Sequence, residues 1–382
     1  MVIRTRYWKN IKLIVFILIL TASVCIFTGC GGESPAEKKA VLDESVPVAE
    51  GEKLILDCVG RTVAIPESPQ KVAALDSFAG EALVMCGAGS KMIAAPNGVK
   101  MDELLCNVYP GLADVSVPMS GGTINAETLL ALKPDLVLLK DTMYQTTEEV
   151  EKLDKLGIKY LVVKYENMAE QQQALQMIGD ALGGEYMQKA ADINAYYKSV
   201  VEKAQSIAAK IPKNEKVRVY HSINELVRTD GTDTLGYDWV TCVGAENVSA
   251  SEELQSEGGD YYSSPEQIFV WNPDVIICNE ADTVDYLCSD DKWQGLQAVQ
   301  EGKVYNIPVG ATRWGQRGSL ETFFAILWLG TTIYPEYYAD VDLKKEVFDF
   351  YKNYLNVTLD DDTYEKILSG RGIRTSSAAA GQ

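Results

Sequence analysis

The chain has 382 residues, 47% of them hydrophobic and 23% charged, a globular composition that argues against wholesale disorder, a collagen-like fibre and a polytopic membrane protein. Its 35 basic and 54 acidic residues give a formal net charge of −19, which argues against nucleic acid as a partner, because phosphate neutralisation needs a basic face. A single histidine, His221, argues against a multi-histidine zinc, manganese or non-haem iron site.

Arg4, Arg6, Lys9 and Lys12 form a basic start with no acid nearby, and residues 13–28 follow as an apolar run of 16 residues. A membrane-spanning helix needs about 20, so residues 1–29 read as a signal peptide. The run ends in Gly29-Cys30. A small residue before that cysteine resembles the lipobox of bacterial lipoproteins, with Phe27 at the usual leucine position. The resemblance implies cleavage before Cys30, lipidation of its thiol and an extracytoplasmic chain held on the cell membrane. An uncleaved anchor is the alternative, and it places the bulk of the chain on the same side. Cleavage removes four positive charges and no negative one, taking the net charge from −19 to −23.

Cys58, Cys86, Cys106, Cys242, Cys278 and Cys288 remain in the mature chain, and no two are spaced as CxxC. A zinc knuckle or thioredoxin-like site is therefore unsupported. An exported chain can pair some of them. Cys86 and Cys278 lie in apolar segments and read as small core residues.

Residues 30–50 lack aromatics and periodicity and read as a flexible tether. Residues 54–59 and 62–65, separated by Gly60-Arg61, read as a hairpin. Short apolar runs at 72–75, 92–95, 136–139 and 160–163 suit buried parallel strands. Helical patterns at 81–86, 126–132 and 147–156 alternate with them. Together, residues 51–183 form one α/β lobe. Residues 185–210 contain neither Gly nor Pro, and 26 helical residues span nearly 40 Å at about 1.5 Å each. Pro212 ends this linking helix, placed at 184–212. Strands at 217–220, 275–278 and 304–307, then helices at 320–333, 343–355 and 361–368, make a second lobe over 213–370. Residues 371–382 read as a frayed tail. The expected fold is α/β: two Rossmann-like lobes joined by a single long helix, with a ligand cleft between them. One continuous sheet is the alternative.

An internal repeat supports two lobes. Asn125, Glu127, Pro134 and Asp135 recur as Ser264, Glu266, Pro273 and Asp274, a constant offset of 139 residues. In each copy a cap and a first-turn glutamate open a helix, Pro-Asp breaks it, and an apolar strand follows.

Both copies resemble a segment of the substrate-binding proteins that serve ABC importers of metal chelates: cobalamin, haem and ferric siderophores. The likeness extends to the DCVGRTVAIP segment at 57–66, to Pro69-Gln70-Lys71-Val72, and to Leu156-Gly157-Ile158. It continues in Arg313-Trp314-Gly315 and Gly318-Ser319-Leu320-Glu321. The resemblance implies two α/β lobes on a rigid helix, no catalysis, and a monomer that hands a metal-chelate ligand to an ABC permease dimer. Among chelates it favours a ferric siderophore, with haem or cobalamin next. One glutamate per lobe faces the permease in this family, and Glu127 and Glu266 match those positions.

Ligands of open α/β sheets bind beyond the carboxyl ends of the strands. The first-lobe candidates are then Ser77, Phe78, Asn97, Met143 and Tyr144, with Met119 and Ser120 in the glycine-bearing loop before the Glu127 helix. In the second lobe they are His221, Tyr261, Tyr262, Arg313 and Trp314. Arg313 is the expected anchor, because a guanidinium grips an anionic chelate in two-pronged geometry. Trp314, Tyr261 and Tyr262 offer stacking surface. Arg228 is the next cation. His221 is either an axial ligand to haem iron or cobalt or a hydrogen-bonded structural residue. A small oxyanion such as molybdate, held by neutral donors and helix ends, is the alternative cargo. The rival class is a lipid-anchored hydrolase using two carboxylates. GxSxG, GxGxxG, P-loop and HExxH motifs are all missing from the sequence.

Overall fold

A computed structural model describes residues 41–250 and 254–372. The expected signal peptide, Cys30 and most of the C-terminal tail lie outside the described residues.

Glu52–Leu56 and Thr62–Pro66 pair antiparallel, Glu52 opposite Pro66. The turn is longer than the expected Gly60-Arg61 pair. Asp57 organises it, accepting from the backbone N–H of Val59 and Arg61 and from Arg61 Nε.

Two separate four-stranded parallel sheets follow, with the same topology. The first has the order Met92–Ala94, Val72–Ala74, Leu136–Lys140, Tyr160–Val163. The second has Glu246–Asn247, Arg218–Ser222, Val275–Cys278, Val304–Asn306. In each sheet the strand of the 139-residue repeat lies third, beside the strand that comes first in chain order within that sheet. The helices of the repeat are Ala126–Leu132 and Pro265–Trp271, and both end in a left-handed residue, Lys133 and Asn272.

Strand side chains alternate between two cores, as a two-residue period requires. Val72, Ala74, Leu136, Leu138, Val275 and Ile277 face a core shared by both lobes. Ala73, Val137 and Leu139 face a second core on the far side of the first sheet. Ile276 and Cys278 face its counterpart behind the second sheet.

The helix Gly184–Ala208 joins the lobes. Its buried stripe, Ala190, Ile193, Tyr197, Val200, Ala204 and Ile207, recurs every three or four residues and belongs to the shared core. Gly179 on the helix Met168–Leu182 lets it approach closely, since a Cβ there would stand 2.5 Å from the Cβ of Ala190. This continuous apolar seam opposes large hinge motion between the lobes.

Two hairpins reach toward the space between the sheets. Met119–Ser120 pairs with Thr123–Ile124 around Gly121-Gly122, and Gln255–Glu257 pairs with Asp260–Tyr262 around Gly258-Gly259. All four glycines have positive φ, as a type I′ hairpin turn needs at both central positions. The six cysteines among the described residues are free thiols, with Cys86 and Cys278 buried as expected.

Candidate ligand cleft

The carboxyl ends of both sheets open onto one cavity of about 450 Å³. In the first lobe, Asp76 and Ser77 follow the strand Val72–Ala74, Lys140 ends Leu136–Lys140 with Asp141 and Thr142 after it, and Lys164 to Glu166 follow Tyr160–Val163. In the second lobe, His221 is the next-to-last residue of Arg218–Ser222 and Asn279 follows Val275–Cys278, with Asp230, Thr234 and Arg317 contributed by loops. The helices Ser77–Met85 and Leu235–Cys242 both begin at this cavity. Their caps, Asp76 and Thr234, each accept one first-turn N–H. The remaining first-turn N–H groups favour anions.

Much of the charge in the cleft is organised in pairs. Arg317 Nη2 lies 3.1 Å from Asp141 Oδ2 and 2.8 Å from Glu166 Oε1, so a second-lobe cation bridges to two first-lobe acids. Beside it, Gly318 N–H donates to Tyr165 Oη at 2.8 Å. Arg228 pairs with Asp260. Lys140 and Lys164 make no ion pair among the described residues.

His221 is buried, its Nδ1 2.8 Å from Asp230 Oδ2 and its Nε2 3.0 Å from Asn279 Oδ1. Burial opposes the charged ring, but the Asp230 carboxylate and the hydrogen bonds on both nitrogens outweigh it and hold the pKa above the usual histidine value. Both ring nitrogens are thus engaged by protein partners, the arrangement of a hydrogen-bonded structural histidine. Among the described residues no group of three or more His, Cys, Asp or Glu is placed to hold a metal ion.

Of the sequence candidates, Ser77, Met119, His221, Arg228 and Tyr261 line the cavity. Phe78, Asn97, Ser120, Met143, Tyr144, Tyr262, Arg313 and Trp314 do not. Phe78 is fully buried, 4.8 Å from the Tyr165 ring, and Trp314 is fully buried, 5.1 Å from the Phe324 ring. Met143 packs in the first-lobe core, and Tyr144 lies under the Arg61 guanidinium. Asn97 and Ser120 are exposed outside the cavity, and Tyr262 is half-buried beyond it. Arg313 Nη1 donates to Glu280 at 2.8 Å and to Gln316 at 3.2 Å, away from the cavity lining. The reason is local. The segment after Val304–Asn306 doubles back, with Trp314 N–H donating to Pro308 O, which turns Trp314 into the core and delivers Arg317 to the cleft.

Sequence reasoning missed Arg317, Lys164, Asp230 and Asn279. A signal existed for two of them. Asn279 stands at the repeat offset from Lys140, and Arg317 lies between Gly315 and Gly318 in the segment already singled out. Glu127 and Glu266 lie outside the cavity, exposed in the first turns of the two repeat helices.

Two parallel-sheet lobes that aim their strand ends at one cavity, locked by a single helix, define a two-lobed solute-binding protein. The chain belongs to the periplasmic binding protein family, whose model matches residues 72–309. It is 24% identical over 342 residues to the molybdate-binding protein MolA of Haemophilus influenzae, covering 82% of this chain and 94% of that one. It is 26% identical over 332 residues to YvrC of Bacillus subtilis, an ABC transporter substrate-binding lipoprotein, covering 84% and 97%. The structure of H. influenzae MolA bound to molybdate superposes with a TM-score of 0.70 at 21% identity, covering 81% and 99%. The chain is thus a substrate-binding protein of an ABC importer, from a family that works outside the cytoplasm. No helix among the described residues is long and apolar enough to cross a membrane.

Proposed function

We propose that this chain is a lipid-anchored, monomeric receptor that captures a compact anionic metal complex, either a ferric chelate or an oxyanion such as molybdate, and presents it to the permease dimer. The observation that carries this reading is the convergence of anion-favouring groups from both walls: two helix N-termini, Lys140, Lys164 and Arg317. A volume of about 450 Å³ falls within the range of roughly 300–1,000 Å³ typical of small-molecule sites. Haem and corrinoids fit less well. The expected stacking residues Trp314 and Phe78 are inside the core, and His221 has no free nitrogen for the metal. Calorimetric titration with molybdate, ferric tris-catecholate, haem and cobalamin tests this. One of the first two binds without turnover; binding of haem or cobalamin alone refutes the reading.

Docking is assigned to Glu127 and Glu266. Both are exposed, both are offered by the same helix position in each lobe, and neither touches the cavity. The double Glu→Ala variant retains its cargo affinity while uptake collapses. A parallel fall in affinity would remove the docking role.

The anchor is assigned to Cys30. Cys30→Ala yields uncleaved or released protein, and unchanged processing and detergent partitioning would contradict the assignment.

A further inference from the structure

Asn279 is 1% exposed, lines the cleft, and is fixed through its backbone N–H to Ser222 O at 3.0 Å. Its Oδ1 faces His221 Nε2, and its buried Nδ2 has no partner among the described residues. Buried amide donors are rarely left unpaired, because the group has lost its water. Its orientation follows from the neighbours. The Asp230 carboxylate is itself held by Asn247 Nδ2 at 3.0 Å and Thr234 Oγ1 at 2.9 Å, and it can only accept from the His221 ring. A protonated ring then has a second N–H to donate, and the Asn279 amide must turn its oxygen to it.

We propose that Asn279 is a locked donor in the cleft: His221 holds its oxygen, and its Nδ2–H₂ hydrogen-bonds an acceptor-only oxygen of the cargo. This rests on the anionic-cargo reading above and names one group that reads the anion. Such an oxygen belongs equally to a metal oxyanion or to the anionic rim of a ferric chelate.

The arrangement is also a proton-dependent selector. If the ring lost its Nε2 proton, the amide would turn its nitrogen to the ring and present its oxygen to the cleft, repelling the same anion. Four features surround the ring. Asp230 favours the proton, and Arg313 opposes it while itself tied to Glu280. Asn279 accepts from it, and the uncharged Trp239 ring lies edge-on at 5.5 Å.

The chain has one histidine, so its ring signals in a ¹⁵N NMR spectrum of the full-length protein are unambiguous. In a pH titration both ring nitrogens keep a proton to higher pH than in an ordinary histidine. With molybdate and ferric tris-catecholate as probes, the one that binds wild type loses about ten-fold or more in affinity for Asn279→Asp. Asn279→Ala, the second variant, binds more weakly than wild type and loses the decline of affinity seen as pH rises through the ring's titration. A ring that titrates at or below the ordinary histidine value, or affinity indifferent to both substitutions in folded protein, overturns the proposal alone. Failure of both probes to bind wild type overturns the anionic-cargo reading, and the cargo role of Asn279 with it.

Discussion

Arg317→Ala weakens capture of an anionic probe by about ten-fold or more, equivalent to about 1.4 kcal/mol, while leaving the chain folded. Two effects act in the same direction. The substitution removes a planar donor fork suited to anionic oxygens. It also leaves Asp141 and Glu166 as uncompensated negative charges facing the cargo. The pair with Glu166 contributes little to stability, because both side chains are more than a third exposed, whereas the Asp141 side chain is 8% exposed and its lost partner adds a stability cost. Arg317→Lys keeps the charge but loses the fork, and recovers part of the affinity. Asp141→Asn with Glu166→Gln has the opposite sign and tightens anion binding, since it frees the guanidinium. Calorimetry on the three variants checks the order. Affinity unchanged in Arg317→Ala would assign the anion to the lysines and helix ends alone.

A second large effect is expected away from the cleft. Glu81 of the first lobe and Glu321 of the second are both fully buried near Thr312. Glu81 Oε2 accepts from Leu320 N–H at 2.8 Å and Thr312 Oγ1 at 2.9 Å. Glu321 accepts from Thr312 N–H at 3.0 Å and from the Tyr351 hydroxyl. Burial, and then the Glu321 charge beside it, pushes the Glu81 carboxyl well above the usual range. Burial pushes Glu321 up to about 7. The folded chain therefore holds protons that the unfolded chain releases above about 4.5. Stability is full below that value and falls as pH rises through about 7. Glu321→Gln carries a pH-independent cost, since its amide sits near the Thr312 N–H, but it has no proton to lose. Denaturant unfolding of wild type and Glu321→Gln between about pH 5 and 8 isolates the effect. Wild type weakens relative to the variant with rising pH, and a constant gap would contradict the assignment.

The framework was legible in the sequence because strands buried on both faces read as unbroken apolar runs. Tyr160–Val163 and Val275–Cys278 have the bounds their composition suggests. The repeat pointed to the matched helices Ala126–Leu132 and Pro265–Trp271, whose capping residues and Pro-Asp breaks are purely local signals. The cleft was less legible, because loop direction decides which side chain enters it. Arg313 and Arg317 are four residues apart in one irregular loop, and only its reversal toward Pro308 O places the second in the cavity and leaves the first on Glu280. Phe78 and Trp314 illustrate the same problem. An aromatic beside a strand end suits a stacking surface and a core equally, and the shared core took both. The partners of His221 were hidden for another reason, since Asp230 and Asn279 are 9 and 58 residues away and meet it only through the sheet and its connecting loops.

The most direct test is the cargo carried by the protein purified under native conditions from its source cells, read by native mass and absorption spectra. The account predicts one compact anionic metal complex, released chemically unchanged, displaced by molybdate or ferric tris-catecholate, and lost from Arg317→Ala. A neutral or cationic ligand, a bound haem or corrinoid spectrum, or a chemically altered product would contradict it.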